Sequence, residues 1–191
     1  MIIGLGTGAI VGIVIAVVIF LIILWFVATY NKLIGKRNTC EEAFSTMDVY
    51  LKKRFDLIPN LVSTVKGYAK HESETLEKVI AARNSGATQT TEQRMEEENQ
   101  ITGALRQIFA LSENYPDLKA NQNFLDLQGQ LKSIEADIAN ARKYYNGAVK
   151  DFNNSCEKVP SNIVAGMFHF ERKPMFEVKE EAERENVKVE F

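Results

Sequence analysis

The chain has 191 residues, of which 46% are hydrophobic and 25% are charged, enough for one membrane span and one folded domain of ordinary size. Its 23 Lys and Arg residues and 25 Asp and Glu residues give a formal charge of −2. This balance lacks the basic excess of a protein that neutralises a phosphate backbone, so we expect no nucleic-acid partner. Cys40 and Cys156 lie outside any CxxC pattern and indicate neither a disulfide framework nor a zinc site.

The N-terminal segment is strongly apolar. Residues 1–31 contain no charged side chain, and residues 9–28 form a run of about the 20 apolar residues that a helix needs to cross a bilayer. No basic residue precedes the run, and bulky residues rather than small ones occupy its end, which argues against a cleaved signal peptide. We therefore predict a retained transmembrane anchor over residues 1–31.

The residues at the end of this run predict its orientation. Trp25 and Tyr30 are placed as an aromatic belt, and Lys32, Lys36 and Arg37 follow them. We predict that these five residues lie at the membrane interface. The positive-inside rule then puts the N-terminus outside and the rest of the chain in the cytoplasm. The opposite orientation stays open, because the bias rests on three basic residues.

Small residues recur at every fourth position of the span: Gly4, Gly8, Gly12 and Ala16. Such a row lets the backbone of a neighbouring helix approach closely, and it predicts self-association into a homo-oligomer. The alternative interpretation is that glycine is simply common in transmembrane helices.

The next stretch, residues 33–83, carries an apolar stripe at helical spacing, interrupted by Pro59 and Gly67. It forms either one long kinked helix or two helices, and we expect a break between Asp56 and Ser73. With the break the domain is an antiparallel bundle of four helices, and without it a bundle of three longer ones.

Two further helices are predicted downstream. A shorter one begins near Glu92 and runs to Tyr115, and a long coiled-coil-like one lies between the prolines at 116 and 160. The seam of the long helix has spacings that alternate between three and four. Its members are Phe124, Leu127, Leu131, Ile134, Ile138, Ala141, Tyr145, Ala148 and Phe152.

The C-terminal part has two distinct segments. Residues 163–170 are conspicuously apolar, and we expect them to fold back on the bundle rather than to enter the headgroup layer. Residues 171–191 are predicted to be an acidic, mobile tail with little to bury. The predicted fold class is therefore all-α, with an anchor at 1–31, a helical bundle at 32–170 and a tail at 171–191.

Motifs for chemistry are incomplete. His71 and Glu72 begin like the helix of a zinc protease, but Thr75 replaces the second imidazole. We predict no metal, cofactor or catalytic residue. The basic run at 52–54 and the acidic run at 96–98 are both interpreted as solvated helix faces.

Several motifs together resemble one family. The segments LKKRFDLIPNLV (51–62), ENYPDLKAN (113–121), ARKYYN (141–146) and the run from Pro160 to Phe168 are similar to the LemA family of bacterial membrane proteins. The resemblance covers residues 28 to 176 and leaves out the tail beyond Phe176. It implies a single span in a bacterial cell membrane, an antiparallel helical bundle and no enzyme activity.

Three functions follow as hypotheses. The first is a membrane-anchored scaffold or adaptor, with membrane lipid, a second copy and an unknown protein as partners. The second is a signalling relay that acts on a cytoplasmic partner. The third is an enzyme with an unrecognised site, which requires a buried cluster of titratable residues.

Overall fold

The computed structural model describes residues 6–69, 76, 77, 79, 80 and 91–176. Over these residues the chain is helical without strands, which confirms the predicted all-α class. Its helices are α1 (Thr7–Tyr68), α2 (Thr91–Ser112), α3 (Pro116–Lys119), α4 (Gln122–Glu157) and α5 (Ser161–Met167).

The first helix, α1, contains Pro59 and continues to Tyr68. A proline inside a helix lacks the amide hydrogen and crowds the preceding turn, so the packing around it must offset this cost. Ile58 and Leu61 are fully buried on either side of Pro59. Helix α1 therefore ends within the range predicted for a break, but nine residues after Pro59. Leu76 is again in a helix, and the number of bundle helices depends in part on residues outside the described ones.

The helices that follow begin close to the predicted positions. α2 begins at Thr91, one residue from the predicted start. The segment around Pro116 was expected to start the long helix, but it forms the separate one-turn helix α3. The long helix starts at Gln122 because the Asn121 side-chain oxygen accepts a hydrogen bond from the Phe124 amide at 3.0 Å, as a helix cap does.

The chain divides into two compact units, each made from separate stretches. The first unit comprises Met1–Glu41 and Ala148–Lys173, and the second comprises Glu42–Gly147 and Pro174–Phe191. The predicted domain limits at residues 31 and 170 stay a prediction.

The core of the first unit joins α1 to α5. Leu33 on α1 and Val164 and Ala165 on α5 are buried together. The apolar run at 163–170 thus packs on the helices, as expected, through these two residues and through the rings of Phe168 and Phe170. Residues 171–173 follow without helix or strand, and there the Asn153 side chain donates to the Lys173 carbonyl and accepts from the Lys173 amide, both at 2.9 Å.

The core of the second unit is formed by α1, α2 and α4, together with Leu118 of α3 and the buried residues Leu76 and Val79. Residue numbers that rise along α1 meet numbers that fall along α4, so these helices are antiparallel, as predicted. The contacts are Phe44 with Tyr145 (5.7 Å between ring centroids), Arg54 with Glu135 (2.7 Å) and Tyr68 with Asn121 (2.9 Å).

Helix α4 buries every seventh residue along its length: Phe124, Leu131, Ile138, Tyr145 and Phe152. All five belong to the predicted seam. The predicted seam member Ala148 is only half-buried. Its neighbour Val149 is fully buried instead. The coiled-coil character of the seam stays a prediction.

The segment predicted as a mobile tail begins with packed residues. In the second unit, Phe176 is buried, and its amide and carbonyl are both hydrogen bonded by the Asn146 side chain at 2.8 and 3.0 Å. The hydrogen-bonded backbone of Phe176 and its buried ring hold residues 174–176 against the second unit. Residues 177–191 of the predicted tail lie outside the described residues.

Candidate membrane-anchoring site

The N-terminal part of α1 is a candidate membrane span by its length and composition. Its apolar side chains between residues 10 and 24 are all about half exposed, on every side of the helix. An exposed apolar surface of this extent is typical of a membrane or protein contact.

The small residues of the span form an open row. Apart from the local backbone of α1, no atom of the described residues lies within 4 Å of the position that a Cβ would take at Gly8 or Gly12, and Ala16 is exposed. Gly4 lies outside the described residues. The row therefore leaves room for another helix, and self-association through it stays a prediction.

Three of the predicted interface residues lie beside α5. Trp25 and the exposed Lys32 line a small pocket of about 230 Å³ together with Ser155 and Ser161. Tyr30 is partly buried, and its ring lies 4.6 Å from the ring of Phe168. The sequence pattern at the end of the span thus does not reveal that Tyr30 packs within the unit.

The other two basic residues make contacts within the first unit. The Lys36 ammonium lies 2.8 Å from the Asp151 carboxylate and donates to the Ser155 hydroxyl at 2.7 Å. The Arg37 guanidinium lies 3.9 Å from the Glu41 carboxylate and 5.8 Å from the Phe170 ring centroid. Lys36 therefore joins α1 to α4 within the unit, whereas the exposed Arg37–Glu41 pair contributes little to stability.

The second unit contains a buried charge cluster that the sequence analysis missed. Arg54 is 0% exposed, so the interpretation of residues 52–54 as a solvated face is wrong for Arg54. One of its terminal nitrogens pairs with the Glu98 carboxylate, and the other donates to Glu135 at 2.7 Å and to the Thr102 hydroxyl at 2.9 Å. Lys52 is 74% exposed, as predicted.

Glu98 also corrects a prediction. It is 7% exposed, although residues 96–98 were interpreted as a solvated face. The side chains of Glu96 and Glu97 are outside the described ones, so their predicted exposure stays a prediction. A signal for the cluster was present in the sequence, because Arg54 shares the three-and-four spacing of Leu51, Ile58 and Leu61 and so belongs to the buried face.

A groove of about 520 Å³ borders this cluster on the second unit. Its lining includes the apolar residues Leu105, Phe109 and Leu125 and the charged residues Lys132 and Glu135. The buried cluster fulfils the condition set for an unrecognised enzyme site. Its charges are nevertheless hydrogen bonded to one another, which is typical of a structural ion pair.

Two further candidate functions are a metal site, formed by His, Cys and carboxylate side chains, and a reactive thiol. Across the described ranges, no three of these side chains converge as a metal site would require, and His71 with Glu72 lies outside those ranges. Burial raises the pKa of the Cys40 and Cys156 thiols, so both are protonated at neutral pH. The two thiols are free and behave as small hydrophobes, as expected.

Comparison with known proteins gives two matches. The model of the LemA family matches residues 43–191. The protein named LemA from Metamycoplasma hominis is 26% identical over 160 residues, which cover 81% of this chain and 72% of that protein. The resemblance expected from the motifs is confirmed. The matched region, however, includes the tail beyond Phe176 that the motifs left out.

Proposed function

The chain belongs to the LemA family, and from that premise we propose that it is a membrane-anchored helical scaffold or adaptor that self-associates and has no catalytic activity. The observation that carries the proposal is α1. A single helix of 62 residues bears the exposed apolar segment and, toward Tyr68, core residues of the second unit. Such a helix ties a folded domain directly to a bilayer.

The proposed location is a bacterial cell membrane, with a single pass, the N-terminus outside and the helical bundle in the cytoplasm. The family is membrane-associated. The exposed Lys32 follows the apolar run, and basic residues on that side favour the cytoplasmic face.

Self-association is proposed to use the row of small residues in the span. Gly8, Gly12 and Ala16 present little side-chain bulk, and no side chain of the described residues covers the two glycines. Close backbone approach is the main source of helix association in lipid, where apolar burial gives no advantage.

The adaptor role is proposed for the groove on the second unit. Its lining combines the apolar residues Leu105, Phe109 and Leu125 with the charged residues Arg106, Lys132 and Glu135. Protein-binding surfaces usually combine apolar and polar side chains in this way. The partner is proposed to be a protein of unknown identity.

The continuity of α1 also favours the signalling relay as a second candidate. A relay needs an element that passes a displacement from the span to a cytoplasmic domain. The helix from Thr7 to Tyr68 has no interruption, and it is the only property of the described residues that supports this alternative.

The test of the scaffold is the mass of the full-length protein in nanodiscs. Gly8→Ile fills the proposed contact face, whereas Ala28→Ile adds the same side chain on the opposite face of the helix, about 160° away at 100° per residue. We expect oligomers for the original chain and for Ala28→Ile, and smaller particles for Gly8→Ile. Equal masses for all three proteins would exclude the span as the association site.

A further inference from the structure

We propose that the segment 159–168, in addition to packing on α1, lies in the headgroup layer of the bilayer that α1 crosses, and so gives the chain a second membrane contact. This placement departs from the sequence-based expectation that residues 163–170 stay out of the headgroup layer. The contact is made by an apolar edge that consists of Val159, Ile163, Met167 and Phe168. This inference rests on the proposed anchoring by α1, and it adds a lipid-binding surface to it.

The apolar edge is strongly exposed within the first unit. Val159, Ile163, Met167 and Phe168 are 81%, 57%, 61% and 46% exposed. No residue from 159 to 168 carries a charge. Four exposed large apolar side chains within ten uncharged residues are typical of an interaction surface rather than of a solvated one.

The orientation of α5 is fixed by its buried face. Val164 and Ala165 pack against Leu33 of α1. Ile163 and Met167 are four residues apart and therefore lie on one face of α5, away from this contact. The helix is thus attached to α1 with its apolar edge turned outward.

The position of α5 along α1 matches the headgroup layer. The Phe168 ring lies 5.8 Å from the ring of Phe26, which belongs to the apolar run, and α5 packs on Leu33, which follows the run. Seven residues separate Phe26 from Leu33, about 10 Å along a helix. The headgroup layer is about 5–8 Å thick on each side, and interfacial helices bury about 5–10 Å of depth.

The pocket beside α5 has the chemistry of a phospholipid headgroup site. It holds about 230 Å³ and is lined by the Trp25 ring, the Lys32 side chain and the hydroxyl residues Ser155 and Ser161. The Ser155 and Ser161 hydroxyls donate to the Asp151 and Ser155 carbonyls at 2.9 and 2.7 Å, so Lys32 is the donor left for a lipid phosphate. Indole rings prefer the headgroup level. Trp25 and Lys32 therefore favour lipid, rather than a protein, as the occupant of the edge.

The experiment uses the full-length chain with Cys40→Ala and Cys156→Ala in vesicles of phosphatidylcholine and phosphatidylglycerol. An environment-sensitive fluorophore is attached to a single introduced cysteine, and quenching is measured with nitroxides on the headgroup or on the acyl chain. The positions are Met167→Cys for the edge, Val18→Cys for the span and Asn38→Cys as the control. Asn38 is exposed and lies about 15 Å beyond the apolar run along the same helix.

We expect acyl-chain quenching at Val18 and headgroup quenching at Met167 at least about threefold greater than at Asn38, given the thickness of the headgroup layer. If Met167 behaves like Asn38 while Val18 is quenched, the second contact does not exist and the anchoring stands. If Val18 is not quenched, both proposals are wrong.

A second variant separates lipid contact from other causes of quenching. With the fluorophore at Ile163→Cys, the substitution Met167→Glu places a carboxylate on the same edge, where anionic headgroups repel it. We expect headgroup quenching at position 163 to fall by at least about half, since a charge disfavours the apolar side of the interface. Unchanged quenching would show that the edge does not contact lipid. Because Met167 is exposed, far-UV circular dichroism should stay constant.

Discussion

The buried cation of the second unit permits a quantitative prediction for Arg54→Met. Methionine has a similar length, so the substitution removes the guanidinium and leaves little cavity. Glu98, which is 7% exposed, then keeps a carboxylate without its cation in a poorly solvated site. Removing one partner of a buried ion pair costs about 3–5 kcal/mol. Glu135 contributes less to the loss, because its side chain is 33% exposed and water can solvate it.

The double variant Arg54→Met with Glu98→Leu tests the physical cause. A buried pair that is replaced by apolar residues of similar volume is often neutral or even stabilising. We therefore expect the second substitution to restore most of the stability that the first one removes. The two residues are in direct contact, so their effects should be strongly non-additive.

The assay is thermal unfolding of the full-length protein in mild detergent, followed by far-UV circular dichroism. A loss of 3–5 kcal/mol corresponds to a Tm decrease of about 6–20 °C for a chain of this size. Lys52→Met is the matched control, because Lys52 is 74% exposed and its carboxylate partner Asp56 lies 3.7 Å away. Its effect should stay within about 0.5 kcal/mol. A loss below about 1 kcal/mol for Arg54→Met, or a double variant less stable than the single one, would refute the argument.

Two further substitutions probe packing and protonation. Gly147 is an exposed residue inside α4, and a Cβ there would meet no atom within 4 Å, so Gly147→Ala should raise the free energy of unfolding by about 0.5–1 kcal/mol in the same assay. Burial raises the pKa of the Cys40 thiol above its ordinary value of 9.0, so above that pH the unfolded chain releases the proton while the folded chain retains it. The stability of the original chain should therefore decrease relative to Cys40→Ala as the pH rises above 9.0, and a constant difference would contradict this.

Periodic patterns predicted the helices well. The seam of α4 identified Phe124, Leu131, Ile138, Tyr145 and Phe152, all of which are buried. Such a pattern is a local property of the chain, since a helix buries one face whatever lies opposite it. The start of α2 and the candidate span follow from the same kind of local information.

The contacts that the sequence did not reveal join distant parts of the chain. Lys36 pairs with Asp151, which is 115 residues away, and residue type alone gives no indication of this partner. The packing of residues 174–176 depends on the Asn146 amide, which binds backbone and not a side chain. Backbone recognition leaves no complementary pattern in the sequence of the segment that is bound.

Arg54 shows a different kind of error, in which residue type was given more weight than position. Its spacing from Leu51 and Ile58 placed it on the buried face, while its charge suggested a solvated one. Arginine is the cation best suited to burial, because its planar guanidinium satisfies several acceptors at once. Two carboxylates and the Thr102 hydroxyl supply them here.

Each unit departs from the usual arrangement of apolar residues inside and charged residues outside, but in a different way. The difference indicates which unit needs a partner. In the second unit a charged residue is buried, but Arg54 finds its partners within the chain, so the cluster stabilises the fold and needs nothing from outside. In the first unit apolar residues are exposed, and neither the span nor the edge at Ile163 and Met167 is covered by other residues of the described chain. Only a surrounding medium or another molecule completes such surfaces. The functional chemistry of this protein is therefore expected at its exposed apolar surfaces, with lipid as the first partner, rather than in its interior.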